Sequence, residues 1–367
     1  MKKQLTITLC ALMTIGMLYA QGNESKIQKY KKAFQSEAFQ LSGYGQLMYN
    51  VNEYPERSIT TEVANNSIDI VRAFLFATGK LGANNQFGYM LMYDFGPNAK
   101  LYELYGEWLP SKAINVRFGQ FKTPFTIENP ISLSRIETIN PSRLVAAMIG
   151  STGDYNQWDP DGRSVAKTGR DAGLQLSGFL FPTGDFSRIE YYAGLFNGTG
   201  INVKDNNNHK DFIGTAYFYP IKAFKFGGSF YSGKLPAYLQ TQGHLPEDNN
   251  LNTNRWTVGA EYKGTQLYGR SEYISAKDGG IKRNGCYGLL LWKFIPNQWE
   301  VLGKYDYYKY DYYNSDTEVK NNHIGDLTFG VNYYFAYLSR IQVNYIYSDN
   351  KEVGKNNALA VQLQLFF

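Results

Sequence analysis

The chain closes on "ALAVQLQLFF" (Ala358–Phe367), where apolar residues alternate with small or polar ones up to the last Phe. Mean hydropathy is −0.40, so a polar chain ends on one of its greasiest stretches. A period of two marks a strand with one apolar and one wet face. Leu359, Val361, Leu363, Leu365 and Phe367 share the first face; Ala360, Gln362 and Gln364 share the second. If the apolar face meets lipid, every backbone N–H and C=O must find a partner inside the protein, and a membrane sheet must then close on itself. The last strand is expected to close that ring against the first, where a charged tail would only hinder insertion.

The same alternation runs back through the chain. In "FQLSGYGQLMYN" (39–50) Phe39, Leu41, Leu47 and Tyr49 oppose Gln40, Ser42, Gln46 and Asn50. Strands are predicted at 39–50, 66–80, 86–94, 100–109, 112–121, 169–181, 186–196, 210–219, 223–233, 253–263, 265–275, 283–294, 297–309, 323–335, 338–347 and 357–367. The number is even, and every second link is tight: "PSK" (110–112), "PTGD" (182–185), "KGT" (263–265) and "IPN" (295–297) are examples. The links between them are longer and rich in Asn, Asp, Gly and Lys, as in "SDNKEVGKNN". A soluble sandwich has no reason to sort connections by length. A transmembrane barrel does, with short periplasmic turns and long outer loops. The predicted fold is all-β: a sixteen-stranded antiparallel transmembrane β-barrel over 39–367.

Composition and the N-terminus agree. Aromatic residues make up 16% of the chain, with 31 Tyr and 36 Gly, a mixture suited to strands at an interface. Trp108, Trp256, Trp292 and Trp299 fall near predicted strand ends, at headgroup level. "MKKQLTITLCALMTIGMLYAQ" has Lys2 and Lys3, an apolar run and Leu18-Tyr19-Ala20, the form of a secretory signal peptide over 1–20. Residues 21–38 are then a solvated periplasmic arm. The signal carries two lysines and no acid, so its removal takes the net charge from +5 to +3, too balanced to suggest a nucleic-acid partner. Cys10 leaves with it, and Cys286 alone cannot form an intramolecular disulfide.

One connection is an outlier: 122–168, the third long loop. A loop of this length is usually functional, and "ENPISLSRIETINPSRLVAAMIG" carries apolar residues that suit a segment tucked against protein. It is expected to fold into the lumen and narrow it, bringing Arg135 and Arg143 to the constriction with Glu128 and Glu137. Alternatively, these four hold the loop through internal ion pairs. By parity seven bases point inward, among them Arg117, Arg270, Lys304 and Arg340, against seven acids, among them Glu103, Glu107, Glu190 and Asp306. Strong selectivity comes from charge rings of one sign, so this mixed wall predicts a wet polar pore. Arg72 shares a face with Phe74 and Phe76, which suggests a bulge.

Chemistry of other kinds has little to stand on. His209, His244 and His323 lie in or beside outer loops with no nucleophile or carboxylate at motif spacing. "DNNNHKD" (205–211) lacks calcium-loop spacing, and "GSTGDY" and "NGTGIN" open no helix that could cradle phosphate. The expectation is a chain that is not an enzyme and needs no cofactor or metal.

Three blocks, "VRFGQFKTPFTIEN" (116–129), "GRDAGLQLSG" (169–178) and "YYAGLFNGTGINVKDNNNHKDFIG" (191–214), resemble the phosphate-selective porin O and P family in its Bacteroidetes-type branch. The resemblance implies a homotrimeric outer-membrane channel whose third loop narrows the pore and whose lumenal bases draw anions, notably phosphate. Arg117 and Lys122 from the first block, and Arg135 and Arg143 from the loop after it, are the residues it nominates beside the inward Arg340. The expected partners are small hydrophilic solutes or anions, outer-membrane lipid and lipopolysaccharide. The competing reading is a barrel with a blocked lumen that serves as a scaffold or adhesin through its outer loops.

Overall fold

The computed structural model describes residues 36–52, 66–97, 99–149, 168–205, 207–235, 251–313 and 319–367. The expected signal peptide, most of the arm, His244 and Trp158 lie outside them. Sixteen strands follow one another around the wall. They are β1 (Gln40–Asn52), β2 (Asn66–Leu81), β3 (Phe87–Asp94), β4 (Lys100–Ser111), β5 (Ile114–Lys122), β6 (Arg170–Thr183), β7 (Phe186–Phe196) and β8 (Asp211–Ile221). The second half is β9 (Phe224–Lys234), β10 (Asn252–Lys263), β11 (Leu267–Asp278), β12 (Ile281–Ile295), β13 (Trp299–Tyr313), β14 (Val319–Ala336), β15 (Ser339–Asn350) and β16 (Gly354–Phe366). Among the described residues one helix, α1 (Arg143–Ile149), follows β5.

Every strand pairs antiparallel with its neighbours, and β16 pairs with β1 to close the barrel. The seam runs from Asn52 opposite Ala358 to Tyr44 opposite Phe366, and Gly43 and Phe367 exchange both backbone hydrogen bonds at 2.9 Å. The terminal alternation is thus the closing edge of a ring that leaves no free strand. All sixteen expected strands are present. Several run further toward the long-loop rim than expected: β14 begins at Val319 rather than 323, and β16 at Gly354 rather than 357. The ladder continues there beyond the apolar belt, where polar residues on both faces erase the alternation.

The outward face carries large apolar side chains on strands all round the ring, with Ile68, Phe118, Phe179, Leu290, Phe329 and Leu365 all exposed. These side chains meet hydrocarbon rather than water, as a transmembrane wall requires. The bulge beside Arg72 is real: the β1–β2 register shifts between Gln46 and Leu47. It leaves Ile68 and Ile70 outside and turns both Arg72 and Phe74 inward, where Phe74 packs with Tyr44, Met92 and Tyr102. At the short-turn rim, residues 36–38 lie against the first turn: Tyr89 OH donates to Ala38 O at 2.8 Å, and Lys80 N to Glu37 O at 2.8 Å.

Candidate functional site

The loop after β5 runs through the inside of the barrel. Its neck is clamped at both ends: Thr123 N donates to Gly169 O (3.0 Å), and the Asn129 amide donates to Thr123 O and Gly169 O, both at 2.8 Å. Gly169 has φ +69°, and a Cβ there would stand 2.0 Å from the Asn129 side chain, so the clamp requires glycine. The chain then crosses the lumen. Pro124 O accepts from Thr215 on β8, and Ile127 N donates to Glu272 Oε1 on β11 at 2.7 Å. On the far side Ser134 O accepts from Gln364 Nε2 on β16 at 3.0 Å. The return leg is held by β15 and β14. Arg340 donates to Ile136 O (2.8 Å), Gln342 and Asn332 donate to Glu137 O (2.9 and 3.0 Å), and Ile139 N donates to Asn344 Oδ1 (2.8 Å). Inward amides on the wall therefore satisfy the backbone of an irregular segment at membrane depth, the condition under which such a segment is tolerated.

The crossing ends in α1. Ser142 begins it, its carbonyl accepting from Ala146 N at 2.9 Å and its hydroxyl donating to Asp306. Leu144, Val145, Ala147 and Met148 are buried against the inner wall, among Phe121, Phe196, Ile213, Ile274 and Tyr287. The lumen is thus not polar throughout, as the wall's charge count alone would suggest. Where the loop docks, the inner face is an ordinary hydrophobic core.

Arg270 on β11 is the hub of the docking. Its side chain is fully buried, and its Nη2 lies 2.8 Å from Glu128 Oε2 and 3.0 Å from Glu137 Oε2, both loop carboxylates. Its Nε donates to Tyr287 OH (3.0 Å), which donates to Glu272 Oε2 (2.7 Å). Glu128 and Glu137 therefore tie the loop to the wall rather than to the loop's own arginines. Burial raises the Glu128 carboxyl above its ordinary range, and Arg270 is the main counterweight.

The nominated residues separate in space. Lys122, the last residue of β5, donates to the carbonyls of Asn129 (2.7 Å) and Ile131. Arg143 opens α1 and pairs with Asp326 on β14. Arg117 pairs with Glu107 at 2.9 Å and lies over the Tyr105 ring at 4.3 Å. Arg340 is fully buried and serves the loop backbone. Arg135 reaches the short turn between β14 and β15, donating to Tyr337 OH at 2.9 Å. His209 is exposed, and His323 faces outward on β14.

Between loop and wall is a cavity of about 390 Å³. Five cations line it, Arg72, Lys122, Arg143, Arg170 and Lys304, against three carboxylates, Glu128, Asp306 and Asp326. Lys304 pairs with Asp306 at 3.2 Å, and Arg170 with Glu103 at 2.8 Å. Arg72 instead donates to Gln46 Oε1 at 2.7 Å, and among the described residues Lys122 donates to carbonyls alone. The sequence pattern by itself does not mark Arg72, Arg170 or Asp326 as site residues. The available signal was register: Arg170 stands directly opposite Lys122. A second cavity of about 180 Å³ lies between the first leg of the loop and β7–β10, with Glu190, Lys225, Glu261 and Lys263 in its lining.

The architecture is shared with known channels. OmpF of Salmonella typhi, solved with daunomycin, superposes with a TM-score of 0.64 at 13% identity, over 89% of this chain and 97% of that one. An anion-selective porin from Comamonas acidovorans gives 0.60 at 14%, over 90% and 99%. The trimer form of OmpT from Vibrio cholerae gives 0.58 at 12%, over 90% and 100%. At these identities the likeness bears on the fold alone. No curated protein matches the sequence. The profile of the phosphate-selective porin O and P family, however, matches residues 39–367, the full extent of the barrel, and the chain therefore belongs to that family and is an outer-membrane porin of a Gram-negative bacterium.

Proposed function

We propose that the loop at 122–168 is the constriction of this porin and that the passage beside it favours small anions, phosphate among them. The observation that carries the reading is the cavity between loop and wall, where five cations meet three carboxylates and two of the cations, Arg72 and Lys122, have no carboxylate partner among the described residues. A positive surplus in a low-dielectric gap, carried above all by its arginines, raises the local concentration of anions and lowers that of cations. Of the nominated residues, Lys122 and Arg143 act on the passing ion, while Arg340 and Arg135 act on it through the loop they hold. Arg117, already paired with Glu107, belongs to the wall beside the passage. The short turns face the periplasm and the long loops the outside, and the assembly is a homotrimer, the form in which one OmpT neighbour is described.

Reversal potentials across a salt gradient test the assignment. Lys122→Gln combined with Arg143→Gln removes two of the cavity's five cations and is expected to move the reversal potential toward the cation side, most strongly at low ionic strength, where screening is least. An unmoved potential would remove both residues from the ion's path.

A further inference from the structure

The outer surface of β11–β14 carries a pattern that ion conduction does not use. At the long-loop rim Lys277 on β11 stands directly opposite Lys282 on β12. Their inward neighbours Ala276, Asp278, Ile281 and Arg283 are buried, so both ammonium groups project from the outside of the wall. Directly opposed like charges lie with Cβ atoms about 5 Å apart and destabilise a sheet. One row lower Lys309 on β13 stands opposite Asn284, which makes it the diagonal neighbour of Lys282 at about 7–8 Å. None of the three lysines forms an ion pair among the described residues. Asp311, opposite Asn321 on β14, is an acid on this face, and the β12–β13 register carried one residue further places it across from Lys282, so the four groups together bring a surplus of two positive charges.

What lies below the lysines says what they face. One row beneath Lys309 come Tyr273, Cys286 and Tyr307 in register across three strands, with Trp256 packed on Tyr273 at 5.4 Å. This is an aromatic girdle, which marks the headgroup level; two to four residues further along tilted strands, the lysines stand about 5–10 Å above it, at the height of lipid phosphates. Beneath the girdle the wall is hollowed. Gly269, Ser271, Gly288 and Gly303 face outward there under a shallow cavity of about 530 Å³, and nothing lies within 4 Å of a Cβ placed on Gly288 or Gly303. Tyr262, Tyr305 and Leu290 border the hollow.

We propose that this face binds one phosphorylated, acylated lipid of the outer leaflet, its phosphates held by Lys277, Lys282 and Lys309 and an acyl chain laid in the glycine hollow. Charge complementarity selects the occupant: three clustered ammonium groups above an aromatic girdle match a multiply phosphorylated headgroup, and the hollow continues the same stripe into the hydrocarbon. On the opposite arc the outward residues are apolar instead, with Ile68 and Ile70 on β2 and Leu195 on β7 exposed. The site thus distinguishes one sector of the circumference. The inference rests on the long-loop rim facing the outside, and its test is independent of conduction.

Native mass spectrometry of the detergent-solubilised full chain, titrated with bis-phosphorylated lipid A, dephosphorylated lipid A and phosphatidylglycerol, reads the binding directly. Each lysine near a phosphate layer contributes enough that Lys277→Gln/Lys282→Gln/Lys309→Gln is expected to weaken the bis-phosphorylated lipid about a hundredfold. Lys80→Gln/Lys112→Gln/Lys222→Gln, the same charge change at the short-turn rim, is expected to leave it unaltered. Folding of each variant is checked by its heat-dependent shift on a gel. Gly288→Phe, which fills the hollow and keeps the lysines, is expected to weaken phosphorylated and dephosphorylated lipid A by the same factor. Equal binding of the two lipid A forms to the native protein, or equal binding to both lysine variants, would overturn the proposal. Preference for phosphatidylglycerol would assign the rim to the inner leaflet and overturn it as well. Cross-linking of Cys286 to Cys286 of another copy would do so too, by placing protein on this face.

Discussion

Arg270→Ala is expected to cost more stability than any other single change in the lumen and to widen the pore at the same time. The guanidinium is fully buried and compensates two carboxylates that the loop brings to it, Glu128 at 2.8 Å and Glu137 at 3.0 Å. Removing one partner of a buried ion pair leaves the other uncompensated, which costs about 3–5 kcal/mol, and here two are left. The molecule can relieve that cost by releasing the loop into water, so urea should unfold the variant earlier and its single-channel conductance should rise above that of the native protein. A pH dependence follows. Glu128 already titrates above the ordinary carboxylate range because it is buried, and losing Arg270 raises it further. A carboxyl whose folded-state value lies above its unfolded value stabilises most when protonated. The variant should therefore be least impaired at acid pH and lose stability as pH rises through the raised value. Unchanged conductance together with an unchanged urea midpoint would show that the hub does not hold the loop.

Phe329→Arg tests the wall as directly as Arg270→Ala tests its contents. Phe329 projects outward from β14, 55% exposed, opposite Gly303 and Tyr345 in the middle of the apolar belt. An Arg on the lipid face near mid-membrane costs about 2–4 kcal/mol, falling toward zero at the interfaces. Reversible refolding into lipid vesicles should report that loss for Phe329→Arg and little for Phe329→Leu. In a soluble protein this position would be an exposed side chain, and Arg would be tolerated there; such tolerance would contradict the membrane wall.

The wall was legible in the sequence because lipid imposes a strict rule. A strand with one greasy and one wet face must alternate, and "ALAVQLQLFF" does so as far as Leu365. The sorting of short turns from long loops then gave the barrel its two rims. Ladder ends such as Val319–Asn322 carry no such alternation, so the sequence pattern marks β14 only from residue 323. The loop's entry into the lumen was readable from the apolar run Leu144–Met148 in so long a connection, but its partners were not. Glu128 and Glu137 could equally have paired with arginines of the same loop. Only the closed ring brings Arg270, more than a hundred residues away in sequence, between them. Arg135 and Arg143 illustrate the same limit: similar residues in one segment, they end at Tyr337 by the short turns and at Asp326 beside α1. Parity along a strand says which way a side chain points; which charges meet across the lumen depends on how far each strand is staggered around the ring.

The most direct test of the account is the single-channel conductance of the purified protein in planar bilayers, measured in chloride and in phosphate, beside a variant lacking residues 132–147. That deletion removes the far half of the crossing and most of α1 while leaving the neck clamped by Asn129 and Gly169. Small discrete steps for the native protein and larger, less anion-selective steps for the variant are the expected result. Identical steps from the two proteins would show that the loop does not govern the passage, and the absence of steps from the native protein would show that there is no passage to govern.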